Sequence, residues 1–347
     1  MLTVVRRRLD WFVVVTAAWM VGGAWIDAWS HHVVEVESFF TPAHGVLYTG
    51  YLAAAAVLVG ASLTRADGRI GLSAPAGYTA TLAGVPLFLL GGVGDSIWHT
   101  LFGIEEDVDA LLSPTHLILG TGAVLIASGP LVAAWRRSGA ASDSRVDSVL
   151  GWPAVISLGL VVSTVSFFTA YANPLGLPLA AGERMPQLAN FGIEQSELAS
   201  LQFPLLGQAL AVASMVLLAA ILVPALLLAA LRWRLPIGAL TVVFLVGVGT
   251  SALPHQIPAF LLVAVGGGVA TDGLLRALRP SLDRPRAVVW LSFLSPAVFT
   301  ALYFVAIQLT VGVAWPVELW SGSIVVAGGA GLAIALLVLG LVPARAR

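Results

Sequence analysis

The stretch 204–231, PLLGQALAVASMVLLAAILVPALLLAAL, decides the fold. No charged side chain interrupts it, and a helix needs roughly 20 mostly apolar residues to cross the hydrocarbon core of a bilayer. Cutting the rest of the chain wherever charges or proline clusters break such runs gives nine more segments. The expected spans lie near 11–29, 43–63, 75–97, 114–135, 152–172, 204–231, 236–253, 257–275, 287–313 and 319–342. The sequence therefore predicts an all-α, polytopic transmembrane helix bundle of about ten spans, in contact with the lipid bilayer.

Composition agrees. Of 347 residues, 59% are hydrophobic and only 10% charged, with mean hydropathy +0.95, whereas soluble domains carry roughly 25% charged residues. The 36 Gly and 19 Pro predict close helix packing and kinks, which membrane helices tolerate. A net charge of -1 gives no basic surface for nucleic acid, so that partner class is excluded. Cysteine is absent, which rules out disulfides, thiolate metal sites and a cysteine nucleophile. Any transition-metal chemistry falls to imidazole and carboxylate.

Charge asymmetry sets the expected orientation. All 17 basic residues are Arg, and with Arg6, Arg7 and Arg8 placed inside, only Arg184 falls outside. Both termini are expected on the cytoplasmic side. The first apolar run is longer than a signal-peptide core and reads as a retained helix. The Ser-rich, charged segment 138–151 reads as a cytoplasmic linker between a four-helix half, 1–137, and a six-helix half, 152–347. The outer segment 173–203 reads as a solvated loop.

The chemistry concentrates in an internal repeat, approximately 11–63 and 75–135. Asp27 and His31 stand four apart, as do Asp95 and His99, and both pairs shift by 68 positions (95 − 27 and 99 − 31). Each pair is followed by Pro-x-His: Thr41-Pro42-Ala43-His44 aligns with Ser113-Pro114-Thr115-His116. Residues four apart share a helix face, so each Asp and His can address one ion from the end of an outgoing helix. The third ligand, His44 or His116, arrives on the returning helix, whose start suits a proline. Two imidazoles and a carboxylate leave coordination positions open and suit copper, zinc or non-haem iron. Glu37 and Asp109, each seven residues before the histidine, and Glu106 are candidates for carboxylates that orient the imidazole rings. His32 has no counterpart and reads as interfacial. His255 has no acidic residue four or seven positions before it and reads as structural.

At these residues the sequence resembles the C subunit of the copper membrane monooxygenases, the particulate methane and ammonia monooxygenases. The likeness covers roughly residues 11–130. Asp27-Ala28-Trp29-Ser30-His31, leading into Phe40-Thr41-Pro42-Ala43-His44, is similar to that family's first signature. Gly94-Asp95-Ser96-Ile97-Trp98-His99, with Pro114-Thr115-His116, is similar to its second, where the family usually has Asn in place of Asp95 and a shorter loop. The resemblance implies one copper site at Asp27, His31 and His44. It implies another, a candidate for oxygen chemistry, at Asp95, His99 and His116.

The resulting expectation is a multi-pass cell-membrane protein with metal sites near the extracytoplasmic face. It would be a component of a copper-dependent monooxygenase or oxidase acting on a small apolar substrate, in company with other monooxygenase subunits or as a homo-oligomer. Two alternatives remain open at this level. One is a metal transporter or metal-handling protein, which needs polar residues continuing inward. The other is a zinc-dependent intramembrane hydrolase with Glu106 or Glu37 as general base.

Overall fold

In hydrocarbon only a helix or a closed barrel satisfies every backbone amide and carbonyl, and the apolar runs of this chain become helices. The computed structural model describes residues 2–33, 40–66, 69–103, 107–140, 148–181, 206–253 and 258–341. Glu37, Glu106, His255, the side chain of His32 and residues 182–205 of the outer segment lie outside what it describes. The chain divides into two units, Met1–Phe168 and Thr169–Arg347.

The first unit begins with two helical hairpins. Helix α1 (Leu2–Val33) packs against α2 (Pro42–Ser62), and α3 (Thr79–Phe102) packs against α5 (Pro114–Ala127). Between α2 and α3 runs a short antiparallel ribbon, β1 (Leu63–Ala66) with β2 (Arg69–Leu72); the short helix α4 (Asp107–Leu112) precedes α5. Glycine lets each pair close up. A Cβ on Gly50 of α2 would lie 2.6 Å from the Met20 backbone nitrogen, and one on Gly122 of α5 would lie 2.7 Å from that of Phe88. Such backbone contact is how helices associate where lipid is as apolar as leucine.

After α5 the chain bends by 44° into α6 (Gly129–Ala140). Gly129 and Pro130 explain the break, because proline removes an amide and crowds the preceding turn. Helix α7 (Trp152–Phe168) repairs it: buried Ser157 donates to the Ala127 carbonyl at 2.5 Å and accepts from the Leu131 amide at 3.3 Å. Trp25 of α1 also donates its indole N–H to Ser163 of α7 at 2.9 Å. Helix α7 thus belongs to the first unit, although the sequence placed it at the head of the rear half. At the Arg-rich end of this unit Asp10 is buried. Its Oδ2 accepts from Arg137 at 2.7 Å and its Oδ1 from the Tyr78 hydroxyl at 2.6 Å, tying α1 to α6 and to the start of α3.

The second unit holds α8 (Leu206–Ala230), α9 (Ala239–Gly247), α10 (Pro258–Leu278), α11 (Pro285–Thr310) and α12 (Val317–Leu341). Its core joins Val223, Leu226 and Leu227 of α8 to Leu240, Val288, Leu291, Ala335 and Leu339. Buried Asp272 accepts from the amide and hydroxyl of Thr241 at 2.9 and 2.7 Å and pairs with Arg276 at 3.1 Å. The four-residue spacing puts Asp272 and Arg276 on one face of α10, and Thr241 completes the cluster.

Among the described residues, seven helices are long and apolar enough to cross a membrane, or eight if the bent α5–α6 pair is counted as one span. Helices also occupy the other two expected places, but Trp152–Phe168 and Ala239–Ala252 are shorter. Large apolar side chains such as Phe12, Leu90 and Leu337 are at least 60% exposed, as expected of a surface solvated by lipid rather than water. The protein is therefore a multi-pass, all-α membrane protein.

Candidate metal centre

Each Pro-x-His segment starts a helix. Thr41 and Ser113 are N-caps whose hydroxyls accept the amides of His44 and His116 at 3.0 and 3.4 Å, with Pro42 and Pro114 in the first helical turn. A cap fixes where the third residue of the helix points. Both histidines therefore face back along the hairpin toward the carboxylate of the preceding helix.

In the second hairpin the convergence is complete. Asp95 Oδ2 lies 3.4 Å from His99 Nε2, and Asp95 Oδ1 lies 3.4 Å from His116 Nε2. One ligand atom from each of the three residues falls within 4.8 Å of the others, and among the described residues this is the single such group. A separation of 3.4 Å is long for a hydrogen bond. It matches two donors held about 2.1 Å from one tetrahedral ion, which stand about 3.4 Å apart. Asp95 is only 1% exposed, and a buried carboxylate is costly unless a cation or ion neutralises it.

The outer nitrogens of these imidazoles are also held. His99 Nδ1 lies 3.1 Å from the carbonyl of Gly103. A carbonyl can only accept, so Nδ1 carries the proton and Nε2 presents its lone pair to the centre. Gly103 ends α3 at φ 87°, a conformation that favours glycine. His116 Nδ1 contacts Ser113 Oγ at 2.8 Å. Asp109 stands exposed on α4, while the Gly103 carbonyl and the Ser113 hydroxyl hold these two rings.

The first hairpin brings the same residue types together less tightly. His44 Nδ1 is 3.4 Å from Asp27 Oδ1, but His31 Nε2 is 3.8 Å from Asp27 Oδ2 and its side chain is 34% exposed. His44 uses Nδ1 both here and against the Thr41 hydroxyl at 2.9 Å. Among the described residues, buried Asp27 Oδ1 accepts no hydrogen bond, which suits a carboxylate oxygen to a cation. The two triads lie near one another, since Asp95 and His99 act electrostatically on Asp27, and Asp95, His99 and His116 act on His44.

Three residues at this site escaped the sequence reading. Gly103 is one. Tyr48 is another: its ring stacks on His44 with centroids 6.2 Å apart, and a Cβ on Gly92 would come within 2.8 Å of its hydroxyl. Both Asp27 and Asp95 act on it electrostatically. Its spacing four after His44 was the available signal. The third is Thr115, whose buried hydroxyl donates to Asp95 Oδ1 at 2.8 Å. It is the middle residue of the second Pro-x-His, where the first has Ala43.

The donor set fits copper, and equally zinc or non-haem iron, which all accept imidazole and carboxylate. No protein-family model, curated protein or solved structure matches the chain.

Proposed function

We propose that the chain is a copper-binding integral membrane protein and a component of a copper-dependent monooxygenase or oxidase acting on a small apolar substrate. The observation that carries this reading is the meeting of Asp95, His99 and His116 at ligand separations, around a carboxylate that is 1% exposed. Asp27, His31 and His44, on the first hairpin, make a looser site of the same kind. Copper bound at Asp95, His99 and His116 supplies oxygen-activating redox chemistry, while the chain's own part is to hold neutral imidazoles and a carboxylate in place. The likeness to the C subunit of copper membrane monooxygenases supports copper over zinc. It also supports partner subunits and an internal repeat of two hairpins. We place ten spans in the cell membrane with both termini cytoplasmic, so that both triads open near the extracytoplasmic face; the Arg distribution supports that orientation.

Packing beneath the triads favours a terminal site over a conduit. Tyr51 and Phe88 stack at 4.7 Å on the inward side, and Tyr51 donates to the Val85 carbonyl at 3.0 Å. A transport path instead needs polar groups continuing through the bundle.

Metal analysis of the purified chain tests the reading. The expected result is one or two copper ions per chain, with the second site's share lost in a His99→Ala, His116→Ala double variant. Zinc alone would move the assignment to a hydrolase. Metal uptake into vesicles bearing the protein would move it to a transporter.

A further inference from the structure

We infer that Thr115 is a positioning residue that makes the second triad the tighter metal site, and that Ala43 in its place leaves the first triad the weaker, exchangeable one. The inference rests on reading the triads as metal sites.

Proton counting along one chain of contacts carries it. Thr115 Oγ1 donates its single proton to Asp95 Oδ1 at 2.8 Å. In its contact with Ser113 Oγ at 3.3 Å, the longest link, Thr115 can then only accept, so Ser113 donates. Having given its own proton away, Ser113 Oγ must accept from His116 Nδ1 at 2.8 Å. His116 is thereby fixed as the Nδ1–H tautomer with its Nε2 lone pair toward Asp95, 3.4 Å away. One hydroxyl thus orients the carboxylate and, through Ser113, sets the tautomer of a second ligand. Thr115 is 9% and Ser113 5% exposed, so water competes little for these bonds.

Among the described residues the first hairpin shows no Thr hydroxyl on its carboxylate. Ala43 has no hydroxyl to donate, and among the described residues Asp27 Oδ1 accepts no hydrogen bond. Partners that orient ligands in this way are typically worth about 10- to 100-fold in metal affinity.

The test measures Cu²⁺ affinity by competition titration of the full chain in lipid nanodiscs, one site at a time. The first site is isolated in the His99→Ala, His116→Ala background and the second in the His31→Ala, His44→Ala background. We expect the second site to bind at least about 10-fold tighter than the first, and Thr115→Val to erase most of that margin. Thr115→Ser should restore it, and Ala43→Thr should tighten the first site. Nitrogen-15 NMR of the metal-free protein should find His116 as the Nδ1–H tautomer, and a tautomer mixture in Thr115→Val. Two sites of equal affinity, or a Thr115→Val variant with unchanged affinity and tautomer, would overturn the inference while leaving the metal reading intact. Absence of copper binding at either wild-type site would instead sink the metal reading.

Discussion

The two ends of the first unit each bury a carboxylate on a helix, and they neutralise it in opposite ways. Asp10 has the guanidinium of Arg137 at 2.7 Å and the Tyr78 hydroxyl at 2.6 Å. Asp95 has two imidazole nitrogens at 3.4 Å and the Thr115 hydroxyl at 2.8 Å. Arginine is always charged, so the Asp10 cluster is complete as it stands. The Asp95 cluster gathers electron-pair donors around an anion, which makes sense when a cation joins them. The contrast teaches that a buried acid in a membrane helix is informative only together with its partner: guanidinium marks a tie between helices, and imidazoles mark a candidate ligand set.

The largest expected effect breaks the Arg137–Asp10 tie. Asp10→Leu should lower stability by about 2 kcal/mol, less than for a fully buried pair because the Arg137 side chain is 41% exposed. Thermal unfolding in detergent should register the loss, while copper content stays at the wild-type value. If copper falls in step with stability, the two ends are not independent.

Next in size is Gly122→Ala, which drives a methyl group toward the Phe88 backbone at 2.7 Å and pushes α3 from α5. Overpacking of this kind costs about 1–3 kcal/mol. The second triad straddles that helix pair, so its copper affinity should drop more than that of the first triad in side-by-side titrations.

Asp95→Leu should act in the opposite direction on stability. It abolishes copper at the second site, yet it removes a buried anion that lacks a guanidinium, so the metal-free protein should melt at the same temperature or higher, by about 1 kcal/mol. A destabilisation as large as that of Asp10→Leu would show that Asp95 belongs to the architecture rather than to a ligand set.

The smallest effect comes from Tyr78→Phe. The variant loses one hydrogen bond to a carboxylate that keeps Arg137, at a cost of about 1 kcal/mol. Unfolding curves of the single variant and of Asp10→Leu, Tyr78→Phe together should be non-additive, because both touch one cluster.

Much of the candidate site was legible because its geometry is local. Asp27 with His31, and Asp95 with His99, share a face by helical periodicity. Thr41-Pro42 and Ser113-Pro114 announce helix starts that aim the third ligands. The difference between the two triads was legible only as the pair Ala43 and Thr115, whose meaning depends on which carboxylate oxygen a hydroxyl reaches. The Arg137–Asp10 tie left no local trace, since the two lie 127 residues apart. The contacts of helix α7 with the first unit left no local trace for a similar reason. A charged loop looks like a boundary in sequence, but Ser157 and Ser163 bind it to α5, α6 and α1.

The sequence by itself determined that the chain is made of membrane helices and that two Asp-x3-His and Pro-x-His sets, residue types able to ligate a metal, ride on its first two hairpins. Hydropathy and helical period are properties of neighbouring residues, so they can be read along the chain. Only the tertiary structure decided which carboxylate is tied by arginine, which is left to imidazoles, and which triad closes to ligand separations. Those outcomes depend on contacts of a few ångströms between residues distant in sequence, which packing creates and periodicity does not encode.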